Sequence, residues 1–173
     1  ACCSVFFFFS VKNKPDLAKA GQIAEAVCTA CHGVGGESPT SANPILAAQG
    51  ADYLFKQLTE FKAAEGKPAI RNNPIMNGMA APLSTQDMWS LAHYFSQQKL
   101  KPSAASSEKL VEAGKNLWRK GDFERGIPAC SGCHGPAGTG VPAQYPRLAG
   151  QYAEYTELQL KNFRNEERSN DPE

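Results

Sequence analysis

Apolar residues recur at helical spacing in three stretches of the N-terminal half of this chain. The first, "PDLAKAGQIAEAVCTAC", begins with Pro15 and Asp16, both suited to a helix start. Ser84 and Asp87 are a predicted capping pair for the third. The predicted inward-facing residues are Leu17, Ala20, Ile23, Ala24, Val27 and Cys31 in the first stretch, Leu54, Phe55, Leu58 and Phe61 in "DYLFKQLTEFK", and Met88, Leu91, Ala92 and Phe95 in "LSTQDMWSLAHYFSQQ".

The segments between these stretches are rich in Gly, Pro and Asn and show no alternation of apolar and polar residues. Two further stretches, "EKLVEAGKNLWRKG" and "YAEYTELQLKNFRN", continue the helical pattern in the C-terminal half. The pattern therefore predicts an all-α fold.

The chain contains an internal repeat that appears when the sequence is shifted by 102 positions without a gap. Matching residues at this shift are Gly33 and Gly135, Gly36 and Gly138, Pro44 and Pro146, Leu46 and Leu148, Ala47 and Ala149, Gln49 and Gln151, Tyr53 and Tyr155, Gln57 and Gln159, Leu58 and Leu160, and Phe61 and Phe163. Such agreement indicates a duplicated domain.

The repeat divides the chain into two predicted domains, 15–99 and 108–173, joined by a linker at 100–107 that overlaps the Pro- and Ser-rich "KPSAASSE". The shift places Glu173 opposite Arg71, so the second domain is predicted to be incomplete. By the repeat, roughly 25–30 further residues are expected, with a methionine early among them. Residues 1–14, which include "ACCSVFFFFS", are an irregular segment that we interpret as the remnant of a signal peptide or anchor.

Composition excludes several functions. Hydrophobic residues make up 42% of the chain, which is too few for a bundle of membrane-spanning helices. The apolar run near the N-terminus is also far shorter than the ~20 residues of a membrane-spanning helix. The 18 basic residues nearly balance the 17 acidic ones, so the charge does not predict nucleic-acid binding. A soluble globular protein is expected.

The repeat carries the same chemical motif twice, "CTACH" at Cys28–His32 and "CSGCH" at Cys130–His134. Two thiols one helical turn apart can add to the vinyl groups of a haem, and the following histidine can bind its iron. A zinc site would need the second cysteine pair about 15–20 residues after the first, whereas these pairs lie 102 residues apart. A thioredoxin-type motif would need a βαβ unit, which the all-α pattern does not predict. Two covalent c-type haems are therefore predicted. The residues predicted to bond to the haem vinyl groups through sulfur are Cys28, Cys31, Cys130 and Cys133, and those predicted to bind the haem irons are His32 and His134.

The sixth iron ligand would decide between electron transfer and chemistry on a small molecule. In the first domain Met76 and Met79 are candidates, in a predicted loop before the last helix, whereas Met88 is interpreted as core and His93 as a surface side chain. After His134 the sequence contains no further methionine or histidine. Either the second iron is open or weakly ligated, for instance by Lys161, or the chain continues.

These residues resemble the cytochrome c4 family, dihaem bacterial electron carriers with two class I cytochrome c domains. The motifs that carry the resemblance are "CTACHG", "PILAAQGADYLFKQL", "MNGMAAPLSTQDMWSLAHYF", "GIPACSGCHGPAGTG" and "YPRLAGQYAEYTELQLKNFR". The resemblance implies that Met76 is the distal ligand, and that Pro44 and Pro146 orient the proximal histidines through their carbonyl groups.

The resemblance also implies a function, which is electron transfer from a quinol-oxidising cytochrome complex to a haem-copper terminal oxidase. Covalent haem implies a periplasmic location, with the N-terminal segment as a candidate membrane anchor. The alternative is a dihaem enzyme, a peroxidase or a sulfur-compound dehydrogenase with an open second haem. An enzyme would be expected to place acid or base groups near that haem, and the only other histidine, His93, belongs to the other domain.

Overall fold

A computed structural model describes residues 14–102, 104–105 and 107–171 of the chain. The eight α-helices in these ranges are α1 (Leu17–Ile23), α2 (Thr29–His32), α3 (Ala51–Phe61), α4 (Pro74–Ala80), α5 (Thr85–Ser96), α6 (Glu108–Lys120), α7 (Cys130–His134) and α8 (Ala153–Arg164). Extended pairing is limited, within the same ranges, to isolated bridges such as Val141 with Tyr145. The all-α prediction is confirmed.

The first helix begins at the predicted residue and leads directly into the first cysteine motif. The Asp16 side chain accepts a hydrogen bond from the Lys19 amide at 2.9 Å and caps α1. A π-helical turn, Ala24–Cys28, joins α1 to α2. The prediction that Leu17, Val27 and Cys31 face inward is wrong, since Leu17 and Val27 are 38% and 45% exposed and Cys31 is exposed as well. The wider turn alters the residue spacing beyond Ile23, so a straight helical pattern misplaces Val27.

The core of the N-terminal domain lies where α1 and α3 pack against α5. Ala20 and Ala92 are fully buried, and their small side chains allow the backbones of α1 and α5 to approach closely. Leu54, Leu91 and Phe95 are also buried in this cluster. These five residues were among those predicted to face inward.

The segment before α5 differs from its prediction. Residues 74–80 form the helix α4 rather than a loop, because the Asn73 side chain accepts a hydrogen bond from the Met76 amide and Pro74 occupies the first turn. The predicted capping pair at the start of α5 is confirmed: the Ser84 and Asp87 side chains each accept from the other residue's backbone amide.

The C-terminal domain repeats the cysteine motif but not the helix that leads into it. Helix α6 ends at Lys120 and is followed by Gly121, whose φ of +70° lies in the region that favours glycine. A short 3₁₀ turn, Phe123–Arg125, then precedes α7. Leu110 and Leu117 on α6 are 69% and 40% exposed, in contrast to the buried Ala20 of α1. The two domains are therefore not alike before their cysteines.

Two arginines join the domains around a shared polar centre. Arg71 and Arg168 lie over the rings of Phe61 and Phe163, at 4.5 and 4.4 Å from the ring centroids. Both guanidinium groups donate to the same two acceptors, the side-chain oxygens of Gln57 and Gln159. Although the phenylalanines are 102 positions apart, the arginines are 97 apart, so Arg168 and not Glu173 is the counterpart of Arg71.

The predicted domain limits, 15–99 and 108–173, stay predictions. The interpretation of residues 1–14 as an anchor or signal remnant falls almost entirely outside the described residues. Within the described part of the chain, every helix is too short or too polar to cross a membrane.

Candidate haem sites

The cysteines of both motifs lie on short helices. Cys28 ends the π turn before α2, and Cys31 lies within α2. Cys130 and Cys133 occupy the first and fourth positions of α7. None of these four cysteines forms a disulfide bond with another described residue. Burial raises the pKa of the Cys28 thiol to about 11, so in the polypeptide this side chain is neutral near pH 7.

The two histidines are held in the same way. His32 Nδ1 lies 2.9 Å from the carbonyl oxygen of Pro44, and His134 Nδ1 lies 2.8 Å from that of Pro146. A carbonyl oxygen can only accept, so Nδ1 donates its proton and Nε2 keeps a free lone pair. His32 is 7% exposed, and its burial lowers its pKa, which favours the neutral ring that binds metals.

The loops that supply the proline carbonyls are themselves fixed by matching hydrogen bonds. The Gly36 carbonyl accepts from the amides of Leu46 and Ala47 at 2.8 and 3.2 Å. The equivalent bonds to the Gly138 carbonyl come from Leu148 and Ala149, both at 2.9 Å. Both glycines have positive φ, and a Cβ at Gly36 would lie 2.8 Å from the Phe95 ring. Glycine is therefore required where this loop passes the core.

The residues present at each site fit a covalently bound c-type haem. Each site provides two thiols separated by two residues and an imidazole whose Nε2 lone pair is free to bind iron. A metal-binding histidine usually donates a hydrogen bond from the ring nitrogen that does not bind the metal. The two sites have the same donor set.

The methionines differ in their surroundings. Met76 is half-buried in α4, and Met79, one turn later, is 45% exposed. Met88 is 3% exposed and packs in the core of the N-terminal domain, as its position on the apolar stripe predicted.

The interpretation of His93 as a surface side chain is wrong. Its ring is half-buried and lies edge-on to Trp89, with 4.2 Å between the ring centroids. Its Nε2 is buried and has no hydrogen-bond partner among the described residues. Trp89 lies one turn earlier on α5 and covers the ring, although His93 is off the apolar stripe.

Lys161, the alternative sixth ligand, pairs with Glu157 one turn away on α8, at 2.6 Å. Its side chain is 54% exposed. These contacts do not support a role at the iron.

Two aromatic residues near His134 were missed by the sequence reasoning. The rings of Trp118 and Tyr145 have centroids 6.4 and 5.8 Å from that of His134. The Trp118 indole N–H donates to the Pro136 carbonyl at 3.1 Å. The repeat gives no signal for Trp118, because the shift of 102 pairs it with Asp16.

Comparison with known proteins identifies related chains. The family described as cytochrome c matches residues 17–99 and again 111–172. A cytochrome c4 of Azotobacter vinelandii is 47% identical over 159 residues, which cover 89% of this chain and 75% of that protein. The thiosulfate dehydrogenase electron acceptor of Thiomonas intermedia (strain K12) is 45% identical over 152 residues, or 85% of this chain and 67% of that protein.

A solved structure has the same arrangement. The crystal structure of reduced recombinant cytochrome c4 from Pseudomonas stutzeri matches with a TM-score of 0.81 and 42% identity. The match covers 92% of this chain and 86% of that one. The likeness therefore extends over both domains.

Proposed function

We infer the roles of individual residues from one premise: the chain belongs to the cytochrome c family, as a relative of the dihaem cytochromes c4. The predictions of two tandem cytochrome c domains and two covalently bound c-type haems are confirmed. The protein is an electron carrier. A haem iron supplies the electron-transfer chemistry by alternating between its ferric and ferrous states.

We propose that Cys28, Cys31, Cys130 and Cys133 form thioether bonds to the haems and that His32 and His134 bind the irons. One observation carries this assignment: in each domain a motif histidine donates from Nδ1 to a proline carbonyl, which leaves Nε2 for iron. Pro44 and Pro146 then fix the ring tautomer and orientation.

We propose Met76 as the distal ligand of the first haem. The Asn73 cap and Pro74 fix the start of α4 and thereby the position of Met76 in its first turn. Met76 is also better buried than Met79, and a ligand must be shielded from water to favour the reduced iron. For the second haem, no methionine or histidine follows His134 in this sequence, and we assign no sixth ligand.

The assignment of Met76 is tested with Met76→Ala and the matched control Met79→Ala in the holoprotein. Met76→Ala is expected to abolish the absorption band of methionine-ligated ferric haem in the first domain and to lower that haem's reduction potential, because the thioether stabilises ferrous iron. Met79→Ala is expected to keep both. Loss of the band in Met79→Ala alone would reverse the assignment.

We propose that the physiological reaction takes place in the periplasm, with a quinol-oxidising cytochrome complex as donor and a haem-copper terminal oxidase as acceptor. The resemblance of this chain to the cytochrome c4 family supports this pathway. An anchored form, attached to the inner membrane through the N-terminal segment, is an alternative to a soluble one. Contacts between such partners are typically small and transient.

A second candidate donor is an enzyme that oxidises a sulfur compound. The relative from Thiomonas intermedia bears the name of an electron acceptor for thiosulfate dehydrogenase. In that case the chain receives electrons and the partner does the catalysis, unlike the alternative in which this protein is itself a peroxidase or dehydrogenase.

Stopped-flow reduction of the oxidised holoprotein separates these candidates. Rapid reduction by the quinol-oxidising complex, with no turnover of thiosulfate or peroxide by the protein alone, supports the proposed pathway. Faster reduction by thiosulfate dehydrogenase favours the second donor. Turnover by the isolated protein would support the enzyme.

A further inference from the structure

A glutamine of the C-terminal domain binds the backbone of the N-terminal domain beside its proline carbonyl. Gln151 Oε1 accepts from the Ile45 amide at 3.0 Å, and Gln151 Nε2 donates to the Ile45 carbonyl at 2.9 Å. The same Oε1 also accepts from the Tyr152 amide at 3.1 Å, which holds the side chain in place. One side chain thus satisfies both backbone groups of a residue in the other domain.

The reverse contact is made by the glutamine at the equivalent position of the first domain. Gln49 Oε1 accepts from the Arg147 amide at 2.8 Å, and Gln49 Nε2 donates to the Arg147 carbonyl at 3.0 Å. Its Oε1 also accepts from the Gly50 amide at 2.9 Å. The two glutamines and their targets are related by the same shift of 102 positions, so the interface has an approximate two-fold symmetry.

These contacts continue directly to the histidines. The amide of Ile45 and the carbonyl of Pro44 belong to one peptide group, and that carbonyl accepts from His32 Nδ1. Likewise, the amide of Arg147 shares a peptide group with the Pro146 carbonyl, which accepts from His134. In each domain, one planar peptide group therefore separates the histidine from the glutamine of the other domain.

A peptide group that donates through its N–H becomes a better acceptor at its oxygen, because successive hydrogen bonds polarise one another. A stronger bond at Nδ1 makes an imidazole more basic and a better ligand for ferric iron, which lowers the reduction potential of the haem. Gln49 is 7% exposed, so solvent screens this polarisation only weakly at its end.

We propose that Gln49 and Gln151 are positioning residues that tune the haem of the opposite domain: Gln151 acts on His32 through the Pro44–Ile45 peptide, and Gln49 acts on His134 through the Pro146–Arg147 peptide. Each haem potential then depends on the domain interface being closed. This inference rests on the proposed role of the two histidines as iron ligands.

The test is the pair of variants Gln151→Leu and Gln49→Leu in the full-length holoprotein. Leucine has a similar size and cannot accept from the backbone amide. The potentials of the two haems are measured by spectroelectrochemistry and assigned to their domains through haem methyl signals in NMR spectra. We expect a crossed pattern, in which Gln151→Leu raises the potential of the first haem and Gln49→Leu that of the second.

Tyr152→Phe is the matched control. The Tyr152 hydroxyl donates to the Ser38 carbonyl across the same interface at 2.6 Å, but this bond does not involve a peptide group bound to a histidine. Its removal is expected to leave both potentials unchanged. A merely structural role of the interface would move both potentials in all three variants.

The outcomes separate this inference from the proposed function. Equal shifts at both haems, a shift at the haem of the substituted domain only, or no shift would overturn the tuning role.

The iron ligand is tested independently with His32→Ala, which is expected to lose the low-spin spectrum of the first haem. If that spectrum persists, the proposed ligand is wrong; if it is lost while the glutamine variants cause no shift, only the tuning role is wrong. Should one glutamine variant fail to fold, the other carries the test.

Discussion

At the scale of single residues, one carboxyl group connects the first and last helices of the N-terminal domain. Asp87 on α5 pairs with Lys19 on α1 at 2.5 Å and accepts from the Ser84 hydroxyl at 2.6 Å. These two contacts lower the pKa of Asp87 from its ordinary 3.8 to about 2, the bond from Lys19 contributing most. The ionised form is therefore favoured in the folded protein.

The sign of the pH dependence follows from this lowered pKa. Below about pH 4 the unfolded chain binds a proton at Asp87 that the folded chain resists, so the stabilisation is complete above pH 3.8 and is lost as the pH falls towards about 2. Asp87→Asn is expected to lower the free energy of unfolding by on the order of 1 kcal/mol at about pH 5. The difference from wild type should shrink at lower pH, as measured by denaturant unfolding at several pH values.

Asp52→Asn is the control for this prediction, since Asp52 is an exposed carboxyl in the first turn of α3. It should cost less stability at about pH 5 than Asp87→Asn. A difference between Asp87→Asn and wild type that stays constant down to about pH 2 would contradict the assigned cause of the shift.

At the scale of helices, the packing of α1 against α5 depends on small residues at their contact. Ala20 and Ala92 are 0% exposed, so a larger side chain at either position has no space to occupy. Ala18 lies on the same helix as Ala20 but is exposed. The two alanines of α1 therefore offer the same substitution in opposite environments.

Ala20→Leu is expected to lower the free energy of unfolding by about 1–3 kcal/mol, because the added side chain forces the helices apart. Ala18→Leu is expected to change it by less than about 0.5 kcal/mol. Denaturant unfolding followed by circular dichroism measures both. Similar losses in the two variants would show that helix propensity and not packing is responsible.

The helices themselves were largely predictable from the sequence, whereas departures from regular spacing were not. The Asp16 and Ser84 caps and the buried face of α5 follow from local residue preferences. The π turn at Ala24–Cys28 has no comparable signal, and it is there that the predicted burial of Val27 fails. At the candidate sites the cysteine motifs were found directly, while Trp118, which the repeat does not mark, was not.

At the scale of the whole molecule, the domain interface was not predictable from the ungapped repeat. The shift of 102 aligns Gln57 with Gln159 but pairs Arg71 with Glu173, so it conceals the equivalence with Arg168. A difference of five residues between the two copies restores it. Pairing across an interface depends on where chain segments meet in space, and a change in loop length hides that from sequence alignment.

Because Arg71 and Arg168 donate to the same two glutamine oxygens, their contributions to stability should be coupled. When one arginine is removed, the other no longer shares the two acceptors and is relieved of like-charge repulsion. The double variant Arg71→Met with Arg168→Met is therefore expected to lose more free energy of unfolding than the two single variants together, by about 0.5–3 kcal/mol.

A second double variant controls for general effects of removing positive charge. Arg125 is 78% exposed and pairs with Asp122, away from both glutamines. Arg71→Met combined with Arg125→Met should be additive within about 0.5 kcal/mol. If the losses in free energy of unfolding also add up for the Arg71 and Arg168 pair, the two arginines act independently. The shared acceptors would then not couple the two domains.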